Sequence, residues 1–217
     1  MAELRLKSPS TLLISGPSSS GKTTLVREIM KRPHDVYDKK ILQVVYCYSC
    51  YQPVFEDMKK EISIPIQFVE GITSDLKPPP RTLLVIDDLQ DSSDLISNWF
   101  TKDSHHSDCD VIYLVQNLFS QNKGHRTCNL NSHALIAFKN PRDKLQISCL
   151  AKQICPSNNK FLMSAYEQST VLAHGYLFIN LQQTTSDVLR IRDSVFPLEA
   201  NYYVDKKDYL PTNLNTL

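Results

Sequence analysis

The chain has 217 residues, 41% of them hydrophobic and 22% charged, with Lys+Arg 24 against Asp+Glu 23 and a net charge of +1. That length suits one α/β domain whose core is large enough to fold without disulfide staples, and it would crowd two full domains. The near-neutral balance excludes recruitment of nucleic acid by a global basic field, so any DNA contact has to come from a local loop or from a ring of subunits.

In chain order, Met1 to Pro9 carries charges and lacks an apolar core, so no signal peptide is expected and the chain is not expected to be secreted. The apolar run Thr11 to Ser15 reads as a strand. It leads directly into Gly16-Pro17-Ser18-Ser19-Ser20-Gly21-Lys22-Thr23, which matches G-x-x-x-x-G-K-[ST]. Glycines let such a loop turn sharply and aim successive N–H groups at a phosphate, and the helix start behind it favours an anion. Gly16 through Thr24 are therefore the candidate nucleotide-binding residues. Lys22 is expected to reach the β- and γ-phosphates of ATP, and the Thr23 hydroxyl to be a ligand of Mg²⁺. Leu25, Val26, Ile29 and Met30 repeat at helical spacing, and Pro33 ends a helix predicted over Lys22 to Lys31.

Strands follow at Ile41 to Tyr48 and Ile64 to Glu70, with a helix at Pro53 to Glu61 between them. Cys47-Tyr-Ser-Cys50 is a CxxC at a strand end. It lacks the second cysteine pair of a zinc site and the helix start of a redox motif, so packing is the expected role. Six cysteines without framework spacing point to a reducing, intracellular compartment. Pro78-Pro79-Pro80 is a stiff connector to the next strand. That strand, Thr82-Leu83-Leu84-Val85-Ile86-Asp87-Asp88, is apolar and ends in two carboxylates about 65 residues after the loop lysine, which is the Walker B form. Asp87 is expected to hold the Mg²⁺ shell with Thr23. Asp88 stands where the group that deprotonates the attacking water is kept, a position more usually filled by Glu.

A helix is predicted over Asp94 to Lys102. His105-His106 near Cys109 lacks a fourth metal ligand and reads as a helix end or an interface. Another buried strand, Asp110 to Gln116, ends in an amide that can contact the γ-phosphate or the water. Asn117 to Ser132 is polar and long enough for a functional loop. It carries Lys123, His125 and Arg126. Arg126 is the first candidate, and Arg142 the second, for an arginine that enters a neighbouring subunit's site. A strand is predicted at His133 to Lys139, then helices at Pro141 to Ile154, with Asn140 as its cap, and at Asn159 to Leu172, then a strand at Tyr176 to Leu181. The alternation predicts parallel βα units: a mainly parallel sheet with helices on both faces. Residues 1–198 are expected to form the P-loop ATPase domain, with 199–217 a mobile arm or a docking strand.

Beyond these motifs the chain resembles a family. The Walker pair, Ser104-His105-His106 leading into Val111 to Phe119, Leu130-Asn131-Ser132-His133 and Phe138-Lys139-Asn140-Pro141-Arg142-Asp143 are similar to the genome-packaging ATPases of polinton-like and adinto-like viruses. These are related to the poxvirus and adenovirus packaging ATPases within the FtsK/HerA superfamily. The resemblance runs from about Leu12 to Pro197. It implies an ASCE-type P-loop NTPase sheet, in which an extra strand separates the Walker A and Walker B strands. It also implies a homo-oligomeric ring, commonly a hexamer, that drives double-stranded DNA into a viral capsid in a host nucleus or virion. No membrane partner is expected. The rival expectations are a P-loop small-molecule kinase, for which no Arg-x-x-x-Arg lid is visible, and a domesticated nucleotide-binding protein without turnover.

Overall fold

The structure is a computed structural model and describes residues 4–206. The strands are β1 (Thr11–Ser15), β2 (Gln43–Tyr48), β3 (Ile66–Glu70), β4 (Thr82–Asp87), β5 (Asp110–Val115), β6 (Ala134–Phe138), β7 (Tyr176–Asn180), β8 (Ile191–Arg192) and β9 (Tyr202–Tyr203). They form one sheet in the order β3-β2-β4-β5-β1-β6-β7-β8-β9. β1, β4 and β5 are buried along their whole length, as expected of central parallel strands covered on both faces. β5 lies between β1 and β4 and is parallel to both, so the extra strand between the Walker strands is present.

Two helices, α1 (Lys22–Lys31) and α2 (Val54–Glu61), cover one face. α1 turns Leu25, Val26, Ile29 and Met30 inward against Leu12 and Ile14, each burial contributing roughly 1.5–3 kcal/mol before entropy is subtracted. The other face carries α3 (Ser93–Asn98), which continues through a π-helical turn (Trp99–Asp103) into α4 (Ser104–Ser107), and then α5 (Lys123–Leu130), α6 (Leu145–Ile154) and α7 (Asn159–Ser169). Among the described residues no helix is long and apolar enough to cross a membrane.

Several expectations need correction. The sheet is mainly parallel, as predicted, but the run of parallel units stops at β6: β7, β8 and β9 are each antiparallel to the preceding strand. The reason is the α6–α7 pair, a helical hairpin that brings the chain back to the end of the sheet it had just left, so β7 starts beside the end of β6 (Phe138↔Tyr176). The helix predicted from Pro141 starts at Leu145. Asn140 Oδ1 accepts from the N–H groups of Arg142 and Asp143, closing a turn, and Asp143 Oδ1 accepts from those of Leu145 and Gln146, which caps the helix. The helix predicted to Lys102 becomes π-helical at Trp99, and the one predicted to Leu172 ends at Ser169. The loop expected over Asn117 to Ser132 contains α5.

Beyond Glu199, Tyr202–Tyr203 pairs with β8 at the sheet edge, and Arg32 bonds Glu199; residues 207–217 lie outside the described residues. Arg192 of β8 is buried beneath the Phe178 ring and donates to the carbonyls of Leu4 and Val195, which ties the start of the described chain to this edge. Cys47 is buried in β2 and Cys50 is exposed beyond it. His105 and His106 end α4, the His105 ring lies edge-on to His133, and the described residues contain no group of three or more His, Cys, Asp or Glu that could hold a metal ion.

Candidate active site

The site is assembled at the carboxyl ends of β1, β4 and β5, which the strand order makes neighbours. Between β1 and α1 the chain turns through Gly16 to Gly21. The Gly16 N–H donates to Val115 O (3.2 Å) and the Ser20 N–H to Pro17 O (3.2 Å), so the loop is closed on itself and held to β5. Gly21 has φ 109°, a conformation glycine adopts without steric penalty, and directly precedes Lys22 at the start of α1. The first N–H groups of a helix have no partner within it, so those of the Gly21 to Thr24 turn are free to face an anion. Ser20 Oγ is buried in the loop without a hydrogen-bond partner. Ser18, Ser19 and Thr24 are exposed, and Pro17 and Thr23 half-buried.

Lys22 Nζ donates to the carbonyls of Gly16 (2.6 Å) and Pro17 (3.1 Å). Burial lowers its pKa, and the charges of Asp87 and Asp88 oppose that shift, which places all three groups in one electrostatic cluster. Asp87 is buried at the tip of β4 and accepts a hydrogen bond from the Tyr46 hydroxyl at 2.7 Å. Burial raises its pKa; the Tyr46 bond and Lys22 act in the opposite sense, and Asp88 adds to the rise. The hydroxyl of Thr23 and the carboxylate of Asp87 are hard oxygen donors, which fits Mg²⁺ by donor chemistry.

Asp88 is exposed and has φ 54°. Asp is among the few side chains that tolerate this left-handed region, whereas Glu does so less readily. Its carboxylate accepts from Gln90 Nε2 at 3.2 Å and lies 3.4 and 3.5 Å from Gln116 Nε2. Lys22, Asp87, Asp88 and Gln116 are thus brought together.

The two candidate arginines are not part of that cluster. Arg126 is exposed on α5, at a cavity of about 330 Å³ lined also by Phe119, His125 and Asn129. Arg142 is exposed in the turn before α6. Neither contributes to the electrostatics of Lys22 or Asp87, and neither pairs with a carboxylate among the described residues.

Three further groups belong to the site. Tyr46 orients Asp87 from the adjacent strand. Gln146 accepts from the Leu118 N–H (2.6 Å) and donates to Asn117 Oδ1 (3.3 Å) and Asp143 Oδ2 (2.7 Å), joining the end of β5 to α6. His174, in the α7–β7 connection, places Nδ1 3.0 Å from Ser20 O. Sequence reading missed them because each acts through a neighbour distant in the chain. The only local signal is the polar His174-Gly175 pair before an apolar run, which indicates a turn and nothing more.

No protein-family model and no curated protein matches the chain. Among solved structures, the DNA-packaging ATPase B204 from Sulfolobus Turreted Icosahedral Virus is similar over 81% of this chain and 94% of its own, with TM-score 0.52 and 12% identity. The genome packaging NTPase B204 from Sulfolobus turreted icosahedral virus 2, in complex with sulfate, is similar over 83% and 95%, with TM-score 0.50 and 13% identity. At such identities the likeness is one of fold. Strand order, phosphate loop and these likenesses together make this an α/β P-loop NTPase fold of the kind found in viral genome-packaging ATPases.

Proposed function

We propose that the chain is an ATPase that translocates double-stranded DNA, packaging a viral or virus-derived genome into a capsid as a homo-oligomeric ring, a hexamer in the FtsK/HerA manner. The observation that carries this reading is the convergence of Lys22, Asp87, Asp88 and Gln116 on the phosphate loop. The packaging ATPases that share the fold support it. Gly16 to Thr24 hold the phosphates of ATP, and Lys22 exchanges its loop carbonyls for the β- and γ-phosphate oxygens. Thr23 and Asp87 would hold Mg²⁺, which when bound neutralises charge on those phosphates. Asp88 takes the proton of the attacking water. Gln116, in contact with Asp88, relays the change to Asn117 and, through Gln146, to the segment before α6. Arg126, or failing it Arg142, serves the neighbouring subunit's site. DNA is gripped through its phosphates, since a pump has to accept any sequence.

The test is ATP hydrolysis by the purified protein with and without duplex DNA. Hydrolysis is expected to rise with DNA of any sequence and to lose that stimulation steeply with salt. Lys22→Ala should lower turnover at least about 100-fold in a folded protein, and Asp88→Asn should keep ATP binding and lose hydrolysis. Turnover indifferent to DNA, with phosphate passed to a small molecule, would establish a kinase instead.

A further inference from the structure

A cleft of about 530 Å³ opens beside the phosphate loop, a size within the range of small-molecule sites. One end is the Ser19 to Thr24 turn. The cleft is lined further by Leu25 and Glu28 of α1 and by Phe138, His174 and Tyr176. Phe138 is buried and its ring lies 5.1 Å from that of Tyr176, so the aromatic wall is fixed by packing. An apolar wall with a few polar groups, continuous with a phosphate cradle, has the chemistry of a nucleoside: flat apolar faces, polar edges and a phosphate chain at one end.

His174 joins the two parts. It has φ 60°, and its ring packs over Gly21, where a Cβ would lie 3.5 Å from Nδ1. A carbonyl oxygen only accepts, so the contact of Nδ1 with Ser20 O puts the proton on Nδ1 and leaves Nε2 of the neutral ring as an acceptor. A ribose hydroxyl or an exocyclic amine is the matching donor. We propose that this cleft is the base-and-ribose subsite of the nucleotide, with His174 the positioning residue that links it to the loop. The proposal rests on the reading of Gly16 to Thr24 as a phosphate loop.

The experiment compares binding of ATP and of inorganic tripolyphosphate, each with Mg²⁺, by calorimetry. The wild-type chain should bind ATP at least about tenfold more tightly than tripolyphosphate. His174→Asn keeps a residue that accepts a left-handed backbone. It should weaken ATP about tenfold and tripolyphosphate less than twofold. Tyr176→Leu, which keeps an apolar filler, should behave alike. Equal wild-type affinities for the two ligands would overturn the subsite while leaving the phosphate loop intact. Parallel losses for both in His174→Asn would also overturn it, since they would mean that the histidine only shapes the loop. A folded wild-type chain that binds neither would overturn the phosphate-loop reading and the subsite with it.

Discussion

Asp110 stands at the first position of β5, where its Oδ1 accepts from both the N–H and the hydroxyl of Ser10 at 2.8 Å. Burial outweighs those bonds and raises its pKa from 3.8 to about 6. Between those two values the folded chain binds a proton that the unfolded chain has released. The resulting stability is fully present below pH 3.8 and is lost as pH rises through about 6. A shift of this size corresponds to about 3 kcal/mol. Asn retains one carbonyl oxygen for both Ser10 donors, so Asp110→Asn should remove this dependence. Urea denaturation at pH 4 and pH 7.5 should show the variant gaining up to about 3 kcal/mol on the wild type as pH rises. An unchanged difference between the two proteins across that range would show that burial does not govern this carboxyl. At the same scale, the sequence marks Lys22, Thr23 and Asp87 as candidates because phosphate and Mg²⁺ chemistry calls for a fixed local pattern. Tyr46, Gln146 and His174 are not, because a hydrogen bond across 41, 28 or 154 positions leaves no trace in spacing.

Among the elements, those with an apolar period were readable and those without one were not. α1 matches its predicted span because four inward residues recur at helical spacing and Pro33 follows. α5 was hidden because its inward face consists of Gly124, His125, Cys128 and Asn129. It is held by contact rather than by apolar area. Asn122 Oδ1 accepts from the His125 N–H, which caps the helix, and also from Ser93 Oγ of α3 (2.7 Å). At Gly124 an added Cβ would meet the Ser93 carbonyl at 2.5 Å and the Asp94 nitrogen at 2.8 Å, so the two helices touch at a point only glycine allows. Gly124→Ala should therefore force α3 and α5 apart. The expected penalty is about 1–3 kcal/mol, offset in part by roughly 1 kcal/mol from the better helix propensity of Ala. Thermal unfolding should show a lower Tm for Gly124→Ala and little change for Lys123→Ala, which is exposed one residue away. A Tm equal to or above wild type for Gly124→Ala would remove the close-contact account. The direction of β7 was equally unreadable, since an apolar run looks the same in either orientation and only the α6–α7 hairpin decides it.

For the whole molecule, the ring is the property on which translocase and kinase differ most. Arg126 is exposed and unpaired with any carboxylate among the described residues, as a group serving a neighbour would be. If Arg126 acts in trans, as proposed, Arg126→Ala subunits should bind ATP normally and hydrolyse it at least about 100-fold more slowly, because transition-state charge would lose its partner while ground-state contacts survive. Mixing them with Lys22→Ala subunits should restore part of the DNA-stimulated phosphate release, since only mixed rings contain a boundary with both groups intact. No recovery at any ratio, in rings shown to exchange subunits, would move the assignment to Arg142; a chain that stays monomeric with ATP and DNA would end the ring reading.

The strand order also has a consequence for synthesis. β1 comes first among the strands, yet its partners on both sides are late: Thr11 pairs with Val111 and Leu12 with Ala134. Until about a hundred more residues have left the ribosome, this fully buried strand has no place in the sheet, whereas β2, β3 and β4 can pair almost as they appear. The phosphate loop is thus made well before the two strands that enclose it. A nascent chain stalled before β5 should be the form most prone to capture by chaperones or to aggregation.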